Sequence, residues 1–176
     1  GFANSVVIGF GQGFQPVCGF NYGAKKYERV KEAFYFCVKF SSVFLIFISA
    51  IAYIFSPQLI ELFQKGDEYV ANIGAFALRM QLLTLPLTGW ITMCNMMMQN
   101  IGKVVKASIL AAARQGLFFI PLIFVLPILF DFTGVVIAQP IADILTFILS
   151  IPLQILVLKE INRQISFRSL EEEKIK

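Results

Sequence analysis

The chain has 176 residues, of which 57% are hydrophobic and only 15% charged. A soluble domain has close to half apolar residues and about a quarter charged, so this balance, with nineteen phenylalanines, points to a membrane protein and away from a soluble one. The net charge of +4 lies in short loops between apolar spans, where it sets orientation in a bilayer rather than attracting nucleic acid.

A spanning helix needs about 20 largely apolar residues, and five segments meet that length. They run from about Phe2 to Tyr22, Phe34 to Phe55, Val70 to Met98, Val104 to Phe130 and Gly134 to Leu158. The expected fold is all-α, a polytopic bundle over residues 1–158, followed by a polar tail over 159–176 that leaves the membrane as a helix and frays. No charged leader or small-residue cleavage site precedes the first apolar residues, so the expectation is a segment of a longer polytopic chain rather than a signal peptide.

The first span carries Gln12 and Gln15 one helical turn apart on a shared face, beside Pro16, which removes one helical hydrogen bond. These glutamines either line a polar pathway or bond neighbouring helices. Gly9, Gly11 and Gly13 match neither GxGxxG nor GxxxxGK[ST], and no strand precedes them, so a phosphate-binding loop is rejected. Gly9 with Gly13, and Gly19 with Gly23, are spaced to let another helix approach closely. The second span is nearly uniformly apolar apart from Lys39 and is expected to be the most lipid-exposed and least functional. The stretch Ser56 to Phe63 after it fits a short amphipathic helix on the outer surface.

The third span is polar again, with Arg79, Gln81, Asn95, Gln99 and Asn100, and Pro86 near its middle. Its methionines, Met93, Met96, Met97 and Met98, are core filler or an adaptable ligand surface, with filler favoured. Arg114 and Gln115 open the fourth span near the cytoplasmic face, where an Arg can reach phosphates, and Pro121 and Pro127 are expected to bend the helix. Asp143 is the one carboxylate well inside a span. An intramembrane acid suggests ion coupling, and the favoured alternative is a structural ion pair with Arg79. Three separated cysteines, Cys18, Cys37 and Cys94, read as reduced structural thiols, and the absence of histidine argues against an enzyme or a metal site.

The loop charges alternate. Lys25, Lys26, Arg29 and Lys31 crowd the first loop, Lys103 and Lys106 the third, and Lys159, Arg163 and Arg168 the tail, whereas the second and fourth loops are acidic on balance. The positive-inside rule then places the first and third loops and the C-terminus in the cytoplasm.

Gly11-Gln12-Gly13 with Gln15-Pro16, the run Gly19 to Lys26, Asn100-Ile101-Gly102-Lys103, Arg114-Gln115-Gly116, Ile120-Pro121, and Gln139-Pro140-Ile141-Ala142-Asp143 together resemble the C-terminal half of a multidrug and toxic compound extrusion (MATE) transporter. The resemblance implies helices eight to twelve of twelve, five spanning helices of a six-helix lobe, with an N-terminal lobe as partner across a central cavity. It implies a multi-pass protein of the cytoplasmic membrane that exports drugs or organic cations by alternating access, driven by H+ or Na+, with no cofactor and no metal. Candidate cavity residues are Gln12, Gln15, Gln81, Asn95 and Met96; Asp143 and Arg79 are the coupling or ion-pair residues, and Pro16, Pro86 and Pro121 the bending points. Some sodium-coupled relatives carry an acid midway along the tenth helix, but Leu82 to Met98 here contains none, which points coupling toward the N-terminal lobe. A lipid-linked saccharide flippase of the same wider superfamily is the alternative, and would call for more cations facing the cavity.

Overall fold

The computed structural model describes residues 2–56, 58 and 68–175. Helix α1 covers Phe2–Gly23, α2 Tyr27–Ile54, α3 Glu68–Asn100 and α4 Val104–Ala112. A π-helical turn, Ala113–Leu117, leads into α5, Phe119–Ile175. The described residues contain no strand. The expected surface helix after α2 falls almost wholly outside them.

α5 is two helices joined by a break at Phe130 and Asp131, where the dihedrals leave the helical region and Asp131 takes a φ of 48°. A Cβ on Gly134 would stand 2.2 Å from the carbonyl oxygen of Leu126. Residues eight apart in a straight helix are separated by about 12 Å, so the chain doubles back here, and only glycine fits the return. With that reversal the described chain forms five helical passes, in the order read from the sequence.

The first and third connections share one architecture. After α1, the Lys26 amide bonds the Asn21 carbonyl (2.8 Å) and the Lys25 amide that of Tyr22 (3.0 Å). After α3, the Lys103 amide bonds the Met98 carbonyl (2.8 Å) and the Gly102 amide that of Gln99 (3.2 Å). Both are Schellman caps, which need a left-handed residue at the turn. Gly102 supplies it at φ 78°, and Lys25 adopts it at φ 56°.

α3 is the central post, against which α1, α2, α4 and α5 all pack. Its Met93, Cys94, Met97 and Met98 are fully buried, together with Phe34 and Leu45 of α2 and Leu110 of α4. The intimate α1–α3 contact forms at Gly11, where a Cβ would meet the Met96 sulfur at 2.2 Å. Gly9 and Gly13 meet nothing within 4 Å among the described residues and lie on the exposed side of α1, so the close approach to α3 is made at Gly11 and not at that pair. The one-turn pairing of glycines gave a spacing without saying which side of the helix met a partner.

α2 is apolar but not uniform in role. Its buried face, Val30, Phe34, Cys37, Ser41, Leu45 and Ser49, follows the three-to-four residue spacing of a helix side. Pro86 has no N–H and leaves the Leu82 carbonyl without its helical donor, and the Ser49 hydroxyl donates to that oxygen. The opposite face exposes Phe36, Phe40, Phe47 and Ile54, and on the last two passes Phe124, Ile128 and Ile148 also point outward. Water would not tolerate an apolar belt of this extent, but a lipid wall requires it. Beyond the belt α5 runs on to Ile175 and is fastened to the turns: Lys31 Nζ donates to Asn162 Oδ1 at 2.7 Å, Lys103 pairs with Glu160, and Arg168 donates to the Lys25 carbonyl. The tail is thus docked rather than trailing free.

Candidate functional site

Asp143 is completely buried. Arg114 Nε donates to its Oδ1 at 2.8 Å, and Gln139 Nε2, one turn earlier on α5, donates to the same oxygen at 3.1 Å. Among the described residues Oδ2 receives only a long contact, 3.5 Å, from Gln81 Nε2 of α3. Such a length contributes little, so one carboxylate oxygen is well held and the other nearly bare. The guanidinium is engaged through Nε alone among the described residues, and the Arg114 side chain keeps 22% of its surface exposed.

The local backbone explains how Arg114 arrives there. It sits in the π-helical turn, whose bond from the Phe118 amide to the Ala113 carbonyl (3.0 Å) spans five residues instead of four. Pro121 follows directly, and its missing N–H cannot close a regular turn on Leu117. At 1.5 Å per residue Arg114 lies about 15 Å beyond the start of α4, and Asp143 about 18 Å past the break at Asp131. The pair therefore sits well inside both passes, deeper than the position near the cytoplasmic face expected for Arg114. A buried charge at that depth is costly unless paired and hydrogen-bonded, and each of the three donors answers part of that cost.

The expected Asp143–Arg79 pair is not formed. Arg79 Nε donates to Ser56 Oγ at 2.8 Å, and its guanidinium lies 5.5 Å from the centre of the Tyr53 ring. Residues two apart on a helix point to nearly opposite sides, so with Gln81 turned toward Asp143, Arg79 is turned toward α2. The sequence placed both charges by depth, and direction around the helix decided the partner.

The remaining candidates lie elsewhere. α1 packs on α2 and α3 and makes no contact with α5 among the described residues, so Gln12, exposed, and Gln15, half-buried, do not join the acid. Pro16 is exposed on the same side as Gln12. Asn95 is occupied: its Nδ2 donates to the Ala107 carbonyl at 2.7 Å and its Oδ1 accepts from Gln99 Nε2 at 2.6 Å, tying α3 to α4. Met96 is packed beneath Gly11. Two further polar contacts extend the seam between α3 and α5 that the acid begins. Trp90 Nε1 donates to Ser150 Oγ at 2.8 Å, and Gln154 Nε2 lies 3.2 Å from the Met97 sulfur. Gln139 and Arg114 as partners of Asp143 were not anticipated; counting residues inward from both ends of the hairpin places them at its depth.

The MatE family model matches residues 1–125. The chain belongs to the MatE family. Curated relatives of this MatE chain include the multidrug export protein MepA of Staphylococcus haemolyticus, 27% identical over 142 residues, and MepA of Staphylococcus saprophyticus, 28% identical over 144 residues. Each match covers 81% of the chain, which spans about a third (31%) of those relatives' length. Among solved structures, an inward-facing multidrug resistance MATE family transporter aligns over 92% of the chain and 38% of its own length, with a TM-score of 0.82 and 22% identity. An outward-facing one aligns over 89% of the chain and 36% of its own, with a TM-score of 0.80 and 21% identity. These likenesses establish the helical transmembrane bundle, and the MatE chain is accordingly part of a multi-pass membrane protein.

Proposed function

We propose that this MatE segment is the C-terminal part of an exporter of drugs or organic cations in the cytoplasmic membrane, driven by H+ or Na+ and working by alternating access. Its N-terminal lobe, in the longer protein, completes the cavity, and the C-terminus is cytoplasmic, as the alternating loop charges indicate. The kinship with multidrug export proteins supports the substrate class. The similar fit to inward- and outward-facing relatives supports a bundle that moves as one body.

The observation that carries the reading is Asp143, an acid well inside its pass with one oxygen held by Arg114 and Gln139 and the other facing Gln81 at 3.5 Å. The third span lacks an acid, but Asp143 brings one against it from α5. H+ or Na+ taken at the bare oxygen weakens the hold of Arg114, and its release restores the pair, so ion occupancy is coupled to how firmly the last helices are joined. Gln81 orients the acceptor. Gln12 and Gln15, on the separate face of α1, contact substrate together with the missing lobe, and Pro16, Pro86 and Pro121 are the points where the helices flex.

The test is dye export by the full-length protein carrying Asp143→Asn, measured across a range of pH. Loss of export or of its pH dependence, with the protein still folded and inserted, is expected. Wild-type export with its pH dependence retained would rule out the coupling role.

A further inference from the structure

We propose that the hollow between the α1–α2 turn and the C-terminal stretch of α5 holds the phosphate of an anionic lipid headgroup. The hollow has a volume of about 350 Å³ and is lined by Lys25, Lys26, Arg29 and Arg168, with Glu28 the one carboxylate among its described lining residues. Among the described residues no acid lies within ion-pairing distance of Lys25, Lys26 or Arg29. Like charges drawn this close repel one another unless an anion sits between them. Arg168 closes the far side by donating to the Lys25 carbonyl, so the cations are held around a cavity rather than scattered on a surface. Lys26 is also the residue before α2 and makes no side-chain cap, leaving the first amides of that helix without a side-chain acceptor at the same place.

The position selects a lipid over a soluble anion. Phe36, 66% exposed, lies on the apolar belt about two helical turns from Arg29. The Tyr22 and Tyr27 rings meet edge-on at 5.4 Å beside it, at the level where aromatic side chains mark a membrane interface. A phosphate in the hollow would leave its acyl chains free to run down the α2 face that carries Phe36 and Phe40. Basic pockets at such a rim suit anionic headgroups.

The experiment is native mass spectrometry of the full-length protein in neutral detergent, titrated with phosphatidylglycerol, phosphatidylcholine or glycerol 3-phosphate. Each Lys or Arg near an anionic lipid surface is worth about a fivefold change in affinity. Lys26→Gln with Arg29→Gln should therefore weaken phosphatidylglycerol binding about thirtyfold, and Arg29→Gln alone about fivefold, which keeps the test open if the double variant fails to fold. Lys106→Gln with Lys159→Gln, the same charge loss outside the hollow, should change binding less than about threefold. Equal phosphatidylglycerol binding by the Arg29 and wild-type proteins would overturn the site. Phosphatidylcholine or glycerol 3-phosphate binding as tightly as phosphatidylglycerol would overturn the assignment to an anionic lipid.

Discussion

A double-mutant cycle on Arg114 and Asp143 tests the buried pair, and the structure ranks its outcomes. Removing one partner of a fully buried pair costs about 3–5 kcal/mol, because the other charge is left unanswered. Asp143→Asn leaves a guanidinium that is only partly buried, its side chain 22% exposed, placing it near the low end, about 3 kcal/mol. Arg114→Gln leaves a carboxylate with no exposure and only Gln139 and the distant Gln81 as donors, placing it near the high end, about 5 kcal/mol. The double variant removes both charges, and its loss should fall short of the sum by about 2–3 kcal/mol. Denaturant-induced unfolding of the full-length protein in detergent micelles reads all four corners. Additive losses, or a greater cost for Asp143→Asn than for Arg114→Gln, would refute the pairing and the asymmetry of its burial.

Three further substitutions test the packing that holds the site. Ser49→Ala should cost about 1–3 kcal/mol by leaving the Leu82 carbonyl unsatisfied, and Pro86→Ala on that background should recover most of the loss by restoring the helical N–H; thermal unfolding of the single and double variants checks both. Gly134→Ala places a methyl group against the Leu126 backbone at 2.2 Å, and since backbone cannot swing aside as a side chain can, it should destabilise by about 3 kcal/mol or more and open the hairpin, seen as new protease cleavage near 130.

The spans and their order were legible because length and apolarity are properties of consecutive residues, and Asp131 to Gly134 marked the last reversal by composition alone. What the sequence left obscure was direction around each helix. Arg79 and Asp143 were paired by depth, yet Arg79 faces Ser56 and Tyr53 while Arg114 meets the acid. A π-helical turn shifts the register by a residue, and Arg114-Gln115-Gly116 before Pro121 carries no simple period from which that shift could be read. Gly11 rather than Gly9 or Gly13 accepts α3 because the side of α1 that meets a partner is fixed by the whole bundle. Ser49 takes its role only from Pro86, on another helix, which orphans the carbonyl that the serine hydroxyl serves.

The central claim is tested most directly by the accumulation of a cationic dye in cells making the full-length protein, with the H+ and Na+ gradients collapsed one at a time. Dye should be kept out while the driving gradient stands and should accumulate when that gradient, and not the other, is removed. Accumulation indifferent to the protein, or exclusion that survives the loss of both gradients, would contradict an ion-coupled exporter.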